Sequence, residues 1–192
     1  MNTKELTWCG TIPSEETIKR AAKIQLILMD VDGVQTDGKA FYLPNGYGTL
    51  FETKGFHSHD ALAFHMLAAA GIKYGAISGR KSRAVEERAL SMGFSYMYEG
   101  HLDKVPILQE IQKTSGLQTE AIAYVGDDFT DVPLLKTVGL GCAVANARAE
   151  VKQLAHFVTQ AEGGNGAIRE VAELVLKAQN KWQPLLMTYF MT

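Results

Sequence analysis

The most constraining feature of this chain is the run Ile24-Gln25-Leu26-Ile27-Leu28-Met29, which ends in Asp30-Val31-Asp32-Gly33. Such a run lacks the polar alternation of a half-exposed strand, so it predicts a central strand covered on both faces. Two carboxylates one residue apart then sit at the strand's carboxyl end, where open α/β sheets place ligands. With 192 residues, 46% of them hydrophobic, the chain is long enough to bury such a core as one domain spanning 1–192.

The charge balance narrows the function classes. Nineteen Lys and Arg against 21 Asp and Glu give a net charge of -2, and the basic residues are scattered. That offers no electrostatic case for nucleic acid or an anionic membrane as partner. Cys9 and Cys142 are far apart and lack metal-ligand spacing, so neither a disulfide framework nor a zinc site is expected. The N-terminus lacks the apolar core of a signal peptide, and no apolar run approaches the ~20 residues of a spanning helix. A cytoplasmic protein is the expectation.

Residues 1–13 read as an irregular arm stopped by Pro13, with Ser14 capping a short helix over 15–22. Residues 39–43 and 49–53 flank Pro44-Asn45-Gly46-Tyr47-Gly48, predicting a hairpin (about 39–53) that turns at Asn45-Gly46 and projects from the site. Helical and strand patterns then alternate: helix 60–70, strand 73–77, helix 81–92, strand 96–98, helix 104–115, strand 121–125, residues 131–136, strand 141–145, helix 147–154, strand 156–159 and helix 166–179. Repeated β-then-α units predict an α/β fold, a Rossmann-like parallel sheet with helices on both faces. The tail, 180–192, is apolar from Trp182 to Met191, is interrupted by Pro184, and must be covered by something.

Four features stand at strand ends: Asp30 with Asp32, Ser78, Lys104 at the start of a helix, and Gly126-Asp127-Asp128-Phe129-Thr130-Asp131. In a parallel sheet those ends share one edge. Carboxylates brought together raise each other's pKa, and a hard divalent cation such as Mg²⁺ relieves this. Taken singly each piece has a plainer reading. Asp-x-Asp-Gly is a common turn, Lys104 a solvated helix-start residue, Ser78-Gly79 a helix cap, and Asp128 and Asp131 helix-dipole partners. Their joint occurrence in order reverses those odds.

The series Asp30-x-Asp32-Gly33, Ser78-Gly79, Lys104 and Gly126-Asp127-Asp128-x-x-Asp131 resembles the four motifs of the haloacid dehalogenase superfamily, dominated by Mg²⁺-dependent phosphatases. More narrowly, Asp30-Val31-Asp32-Gly33-Val34-x-Thr36-Asp37-Gly38, Ser78-Gly79-Arg80-Lys81, Val85-Glu86-x-Arg88, Tyr124-Val125-Gly126-Asp127-Asp128 and Gly163-Gly164-x-Gly166-Ala167-x-Arg169-Glu170 are similar to the 3-deoxy-D-manno-octulosonate 8-phosphate phosphatase family over about residues 24–180. The resemblance implies a haloacid dehalogenase-like hydrolase of lipopolysaccharide precursor synthesis. Asp30 would attack phosphorus, and Asp32 would be general acid and base. Asp30, the Asp32 backbone carbonyl and Asp127 would hold Mg²⁺, while Ser78 and Lys104 grip the transferring oxygens. Asp128 and Asp131 would order metal-bound water or Lys104. Gly79, Arg80, Lys81, Arg88, His59 and Asp60 are the substrate-side candidates. Arg80, Lys81 and Arg88 read equally as surface charges or as contacts for a sugar acid. His65 and His101 read as structural or exposed.

The chain departs from that pattern in one loop. Where the relatives carry Phe-Asn-Val-Arg-Asp-Gly-x-Gly it has Phe56-His57-Ser58-His59-Asp60-Ala61-Leu62-Ala63, and Gln35 replaces a usual Leu. Phosphatases of a nine-carbon keto-deoxy sugar acid 9-phosphate differ in this same loop and are the nearest alternative. No insertion between 38 and 78, or between 80 and 104, is large enough for a cap domain. Capless relatives are tetramers, which implies that the hairpin packs with symmetry mates and a neighbour completes the pocket. The tail would enter that neighbour or fold back on its own chain. Rival classes are a phospho-accepting receiver domain, which lacks the second acid two residues on, and an idle binding protein on this fold.

Overall fold

The computed structural model describes residues 12–190. In chain order the strands are β1 (Leu26–Met29), β2 (Phe41–Pro44), β3 (Leu50–Thr53), β4 (Lys73–Ser78), β5 (Tyr96–Glu99), β6 (Ile122–Gly126), β7 (Leu140–Ala143) and β8 (Phe157–Val158). The helices are α1 (Glu15–Ala21), α2 (Ser58–Ala69), α3 (Arg83–Met92), α4 (Val105–Ser115), α5 (Val132–Thr137), α6 (Ala149–Leu154), α7 (Ala167–Ala178) and α8 (Trp182–Phe190). Six strands form one parallel sheet in the order β5-β4-β1-β6-β7-β8, and β2 with β3 forms a separate antiparallel hairpin. Helices flank the sheet as the β-then-α alternation predicts. No helix among the described residues is long and apolar enough to cross a membrane.

The opening run behaves as its composition requires. All four residues of β1 are fully buried, and Leu28 pairs with Gly75 on one side and Tyr124 on the other. Regular pairing begins two residues later than predicted, although Gln25 still bonds both neighbours, donating to Ala121 and accepting from Lys73. The chain winds outward from β1 through β4 to β5, then returns to β1's other side and continues through β6 to β8. That reversal makes the carboxyl end of β1 a switch point, where the flanking connections part and leave a crevice.

Two glycines let the loops above β1 close. Gly33 has φ +95°, and a Cβ on it would lie 2.2 Å from Asp127 Oδ2. Gly163 abuts it from the far end of the chain, where a Cβ would lie 1.7 Å from the Gly33 carbonyl oxygen. The Gly163-Gly164 block is therefore the floor of the site rather than a surface turn.

Three segments differ from expectation. The hairpin turns through a five-residue loop at 45–49, one residue later than the expected 44–48, with Asn45 N–H donating to the Thr49 carbonyl and its Oδ1 accepting from Tyr47 N–H. α2 begins at Ser58 because His57 caps it, its Nδ1 accepting from His59 N–H. Pro184 does not interrupt the tail. It lies in the first turn of α8, where a missing N–H costs nothing. α8 folds back on its own chain: Trp182 sits under the cations of Arg169 and Lys177, and Leu185 is buried. The arm at 1–11, with Cys9, and residues 191–192 lie outside the described residues.

Gly33→Ala is expected to cost about 1–3 kcal/mol from the positive φ alone. Because its methyl group would displace Asp127, it should also weaken divalent-cation binding. Denaturant titration and calorimetric cation titration check the two effects.

Candidate active site

The site is built from the ends of β1, β4 and β6 and the start of α4. Asp30 N–H still donates to Val125 O, so the first carboxylate leaves the sheet at the last ladder bond of β1. Lys104, only 2% exposed, is the N-cap of α4, and Pro106 in the first turn helps fix that start. Its ammonium lies 2.7 Å from Asp30 Oδ1, 2.7 Å from Asp131 Oδ1 and 3.0 Å from the Tyr124 hydroxyl.

Asp131 is fully buried and fully engaged. Its Oδ1 accepts from Lys104 and from Tyr124 OH at 2.7 Å, and its Oδ2 accepts from the N–H groups of Asp127 and Asp128. The exposed Asp128 instead accepts from Phe129 N–H through Oδ1, capping the 3₁₀ turn at Phe129–Asp131. Asp131 thus orders Lys104 and the turn that aims Asp127.

These neighbours set the electrostatics. Burial, then the Asp131 charge, pushes Asp30 up to about 6 against the pull of Lys104. Burial, then the Asp131 and Asp30 charges, pushes Asp127 up to about 7. Burial works against the charge on Lys104, but Asp30 and Asp131 prevail and raise its pKa. Carboxylate oxygens of Asp30, Asp127 and Asp131 lie within 4.8 Å of one another. Asp127 Oδ1 is buried without a hydrogen-bond partner. An orphaned acceptor among all-oxygen donors suits a hard cation of the Mg²⁺ type, and since Asp131 is spent, Asp30 and Asp127 are the carboxylates able to hold it.

The other candidates distribute around this centre. Ser78, 2% exposed, ends β4, and its Oγ accepts from Arg80 N–H. Gly79 faces Leu102, whose Cδ2 would meet a Cβ there at 2.8 Å. Asp32 pairs through Oδ1 with the buried ammonium of Lys54. Arg80 donates to Glu52 Oε2 at 2.6 Å and to the Tyr42 hydroxyl at 3.2 Å. Lys81 is exposed, its stem running past Gly100. Arg88 stacks over the Phe56 ring, 5.1 Å from its centroid. His59 is exposed. Asp60 is buried, and its Oδ1 accepts from Arg169 N–H in the first turn of α7, so it fastens α2 to α7. Arg88 and Asp60 line a small cavity with Gln35, Phe56, His57 and Phe64. Among the described residues, none of Lys81, Arg88, His59 and Asp60 bonds to the acid cluster.

Two residues here escaped sequence reasoning. Tyr124 stood in a matched block, but nothing marked its hydroxyl as part of the Lys104 network. Lys54 carries one signal in the sequence: Glu52 and Lys54 sit two apart, so a continuing strand puts opposite charges on one face.

Comparison with known proteins agrees with this geometry. The model of the haloacid dehalogenase-like hydrolases matches residues 91–171. The chain is 38% identical over 180 residues to the 3-deoxy-D-manno-octulosonate 8-phosphate phosphatase of Yersinia pestis, covering 94% of each chain. A solved phosphatase of that name from Moraxella catarrhalis, in complex with magnesium, phosphate and KDO, superposes with a TM-score of 0.86 at 36% identity, covering 91% of this chain and 98% of that one. A cobalt-bound form of the Haemophilus influenzae phosphatase gives 0.78 at 36%, covering 84% and 92%.

The raised carboxylates set a pH dependence. Folding takes up protons at Asp30 and Asp127, so without metal their contribution to stability falls as pH rises from the ordinary Asp range through about 6 and 7. Mg²⁺ needs the deprotonated pair, so its rise in Tm should be larger at about pH 8 than at about pH 5.5. Thermal unfolding with and without Mg²⁺ checks this, and equal rises would contradict it.

Proposed function

We infer the activity from one premise: this chain belongs to the 3-deoxy-D-manno-octulosonate 8-phosphate phosphatase family of haloacid dehalogenase-like hydrolases. It is a Mg²⁺-dependent phosphoric monoester hydrolase that splits 3-deoxy-D-manno-octulosonate 8-phosphate into the free sugar acid and phosphate. The observation that carries the reading is Asp30 at the tip of β1, one oxygen held by Lys104, beside the unpartnered Oδ1 of Asp127.

In the proposed mechanism Asp30 attacks phosphorus, the ester P–O bond breaks, and the proton on Asp32 goes to the leaving sugar oxygen. Water then attacks the aspartyl-phosphate, giving its proton to Asp32, and the Asp30–phosphorus bond breaks to release phosphate. Ser78 and Lys104 neutralise and orient the transferring oxygens, and Asp131 holds Lys104 in place. Asp30, Asp127 and the Asp32 backbone carbonyl would hold Mg²⁺, which would supply charge neutralisation at nucleophile and phosphate. Arg80, Lys81, Arg88, His59 and Gly79 are proposed on the sugar-acid side. Asp60 is assigned a supporting role there, through its bond to α7. A related nine-carbon keto-deoxy sugar acid phosphate is the second reading, favoured by an exposed His59 where relatives carry Arg.

The reading takes 1–192 as one hydrolase domain working as a homotetramer in the cytoplasm. A free, buried Cys142 suits a reducing compartment. The hairpin supports assembly. Phe41, Tyr42, Leu43, Leu50 and Phe51 are 46–63% exposed and Tyr47 is 91% exposed, an apolar display that monomers rarely keep.

Phosphate release from a panel of sugar phosphates tests the activity. Wild type should release phosphate only with Mg²⁺ and prefer the octulosonate 8-phosphate, while Asp30→Asn should lose at least ~10³-fold in kcat by losing the nucleophile. Release undiminished in the variant would sink the mechanism, and preference for the nine-carbon ester would select the second reading. For assembly, Tyr47→Lys with Leu50→Lys should lower the mass measured by sedimentation below that of wild type.

A further inference from the structure

One buried cation has no part in the mechanism above. Lys54 follows β3, its side chain is 1% exposed, and its ammonium pairs with Asp32 Oδ1. Its second partner is Glu52 Oε1 at 3.6 Å, and the other oxygen of Glu52 takes the Arg80 guanidinium at 2.6 Å. Arg80 in turn reaches the Tyr42 hydroxyl, which also donates to Glu52. A chain of alternating charge therefore runs from Asp32 through Lys54, Glu52 and Arg80 to the surface of the hairpin. Resting on the phosphatase reading, we propose that Lys54 is the positioning residue for the general acid: it clamps one oxygen of Asp32 so that the other is presented to the leaving sugar oxygen, and Glu52 seats Lys54 for that task.

The geometry favours this over a merely structural pair. Burying a lysine and a carboxylate together gives little net stability, because desolvation offsets their attraction, and an apolar pair of the same size often does as well. A lysine carried to the first loop of the site from a hairpin outside the main sheet is a costly way to hold that loop. The loop already has backbone bonds from Val34, Gln35 and Thr36 N–H to Val31 O. What those bonds do not fix is the Asp32 side chain. Among the described residues Lys54 is its only hydrogen-bond partner, so without Lys54 the carboxylate is free to rotate among its staggered positions. Proton transfer needs donor and acceptor within a hydrogen bond, and losing that alignment costs rate rather than binding.

The test uses the leaving group. Protonation matters for an alkyl sugar phosphate, whose departing alkoxide is a poor leaving group. It matters little for p-nitrophenyl phosphate, whose phenolate leaves unaided. With full-length protein and Mg²⁺, Lys54→Met is expected to lower kcat/KM on 3-deoxy-D-manno-octulosonate 8-phosphate, which reports only the steps through departure of the sugar oxygen, by about 10²-fold or more, as a lost general acid does. Its kcat/KM on p-nitrophenyl phosphate should fall by less than about 10-fold, because the later hydrolysis of the aspartyl-phosphate, common to both esters, does not enter that ratio. Lys54→Arg should recover part of the sugar-ester rate, and Glu52→Gln should show the same selectivity to a smaller degree. Loss of equal proportion on the two esters by Lys54→Met overturns the proposal, since a misfolded or loosened site slows both. If Lys54→Met does not fold, Glu52→Gln is judged by the same ratio. A wild type silent on both esters overturns the phosphatase reading and this inference with it, whereas an active wild type with unselective variants overturns the inference alone.

Discussion

The structure depends on one buried ammonium. Three aspartates from β1 and the turn after β6 are packed closely enough that burial and mutual repulsion push two of them up to about 6 and 7. Lys104 is what makes that crowding tolerable, because its charge lies 2.7 Å from Asp30 and from Asp131 at once. The division of labour follows from lone pairs. Asp131 spends both oxygens on Lys104, Tyr124 and two backbone N–H groups, so it is an internal scaffold, while Asp127 keeps an oxygen with nothing to accept from. A cation completes the balance that the protein leaves short by design of its geometry.

The architecture was legible in the sequence where the physics is local. A short apolar run without alternation, ended by an Asp-x-Asp-Gly corner, suits a strand covered on both faces, and β1 is one. Strand-helix alternation implies parallel pairing, and parallel pairing puts Asp30, Ser78 and Asp127 on one edge without knowledge of any contact. Lys104 was legible only by its place in that order, since a lysine at a helix start is ordinarily solvated. What stayed hidden is tertiary. Asp60 looked like a loop residue facing substrate, yet it is buried against the first turn of α7, a partner more than a hundred residues away. Lys54 went unmarked, because nothing along the chain shows that Asp32 will come to meet it. Pro184 looked like an interruption because propensity marks a break without saying on which side of it a helix begins.

The hairpin joins two parts of the molecule with opposite demands. Its outer side chains are apolar and exposed, and its inner charges, the buried Lys54 and the half-buried Glu52, are paired. Glu52 connects them, touching Arg80 outward and Lys54 inward. An element outside the main sheet has few backbone bonds to fix its place, so these ion pairs set its orientation over the site. Partly buried pairs of this kind are screened little by salt, unlike the exposed Lys39–Asp37 pair at the hairpin's root.

The contact between Gly33 and Gly163 carries a consequence for how the molecule is made. The loop that bears both catalytic carboxylates emerges early in synthesis, but the backbone it rests on belongs to the last quarter of the chain. Until that glycine arrives, β1 has already needed β4 and β6 as neighbours, and its acidic tip has no floor. The core closes no earlier than the floor does, because Ala167, Ile168, Val171, Leu174 and Leu176 of α7, made after Gly163, are buried in it, so the last part of the chain completes the packing and the catalytic crevice together.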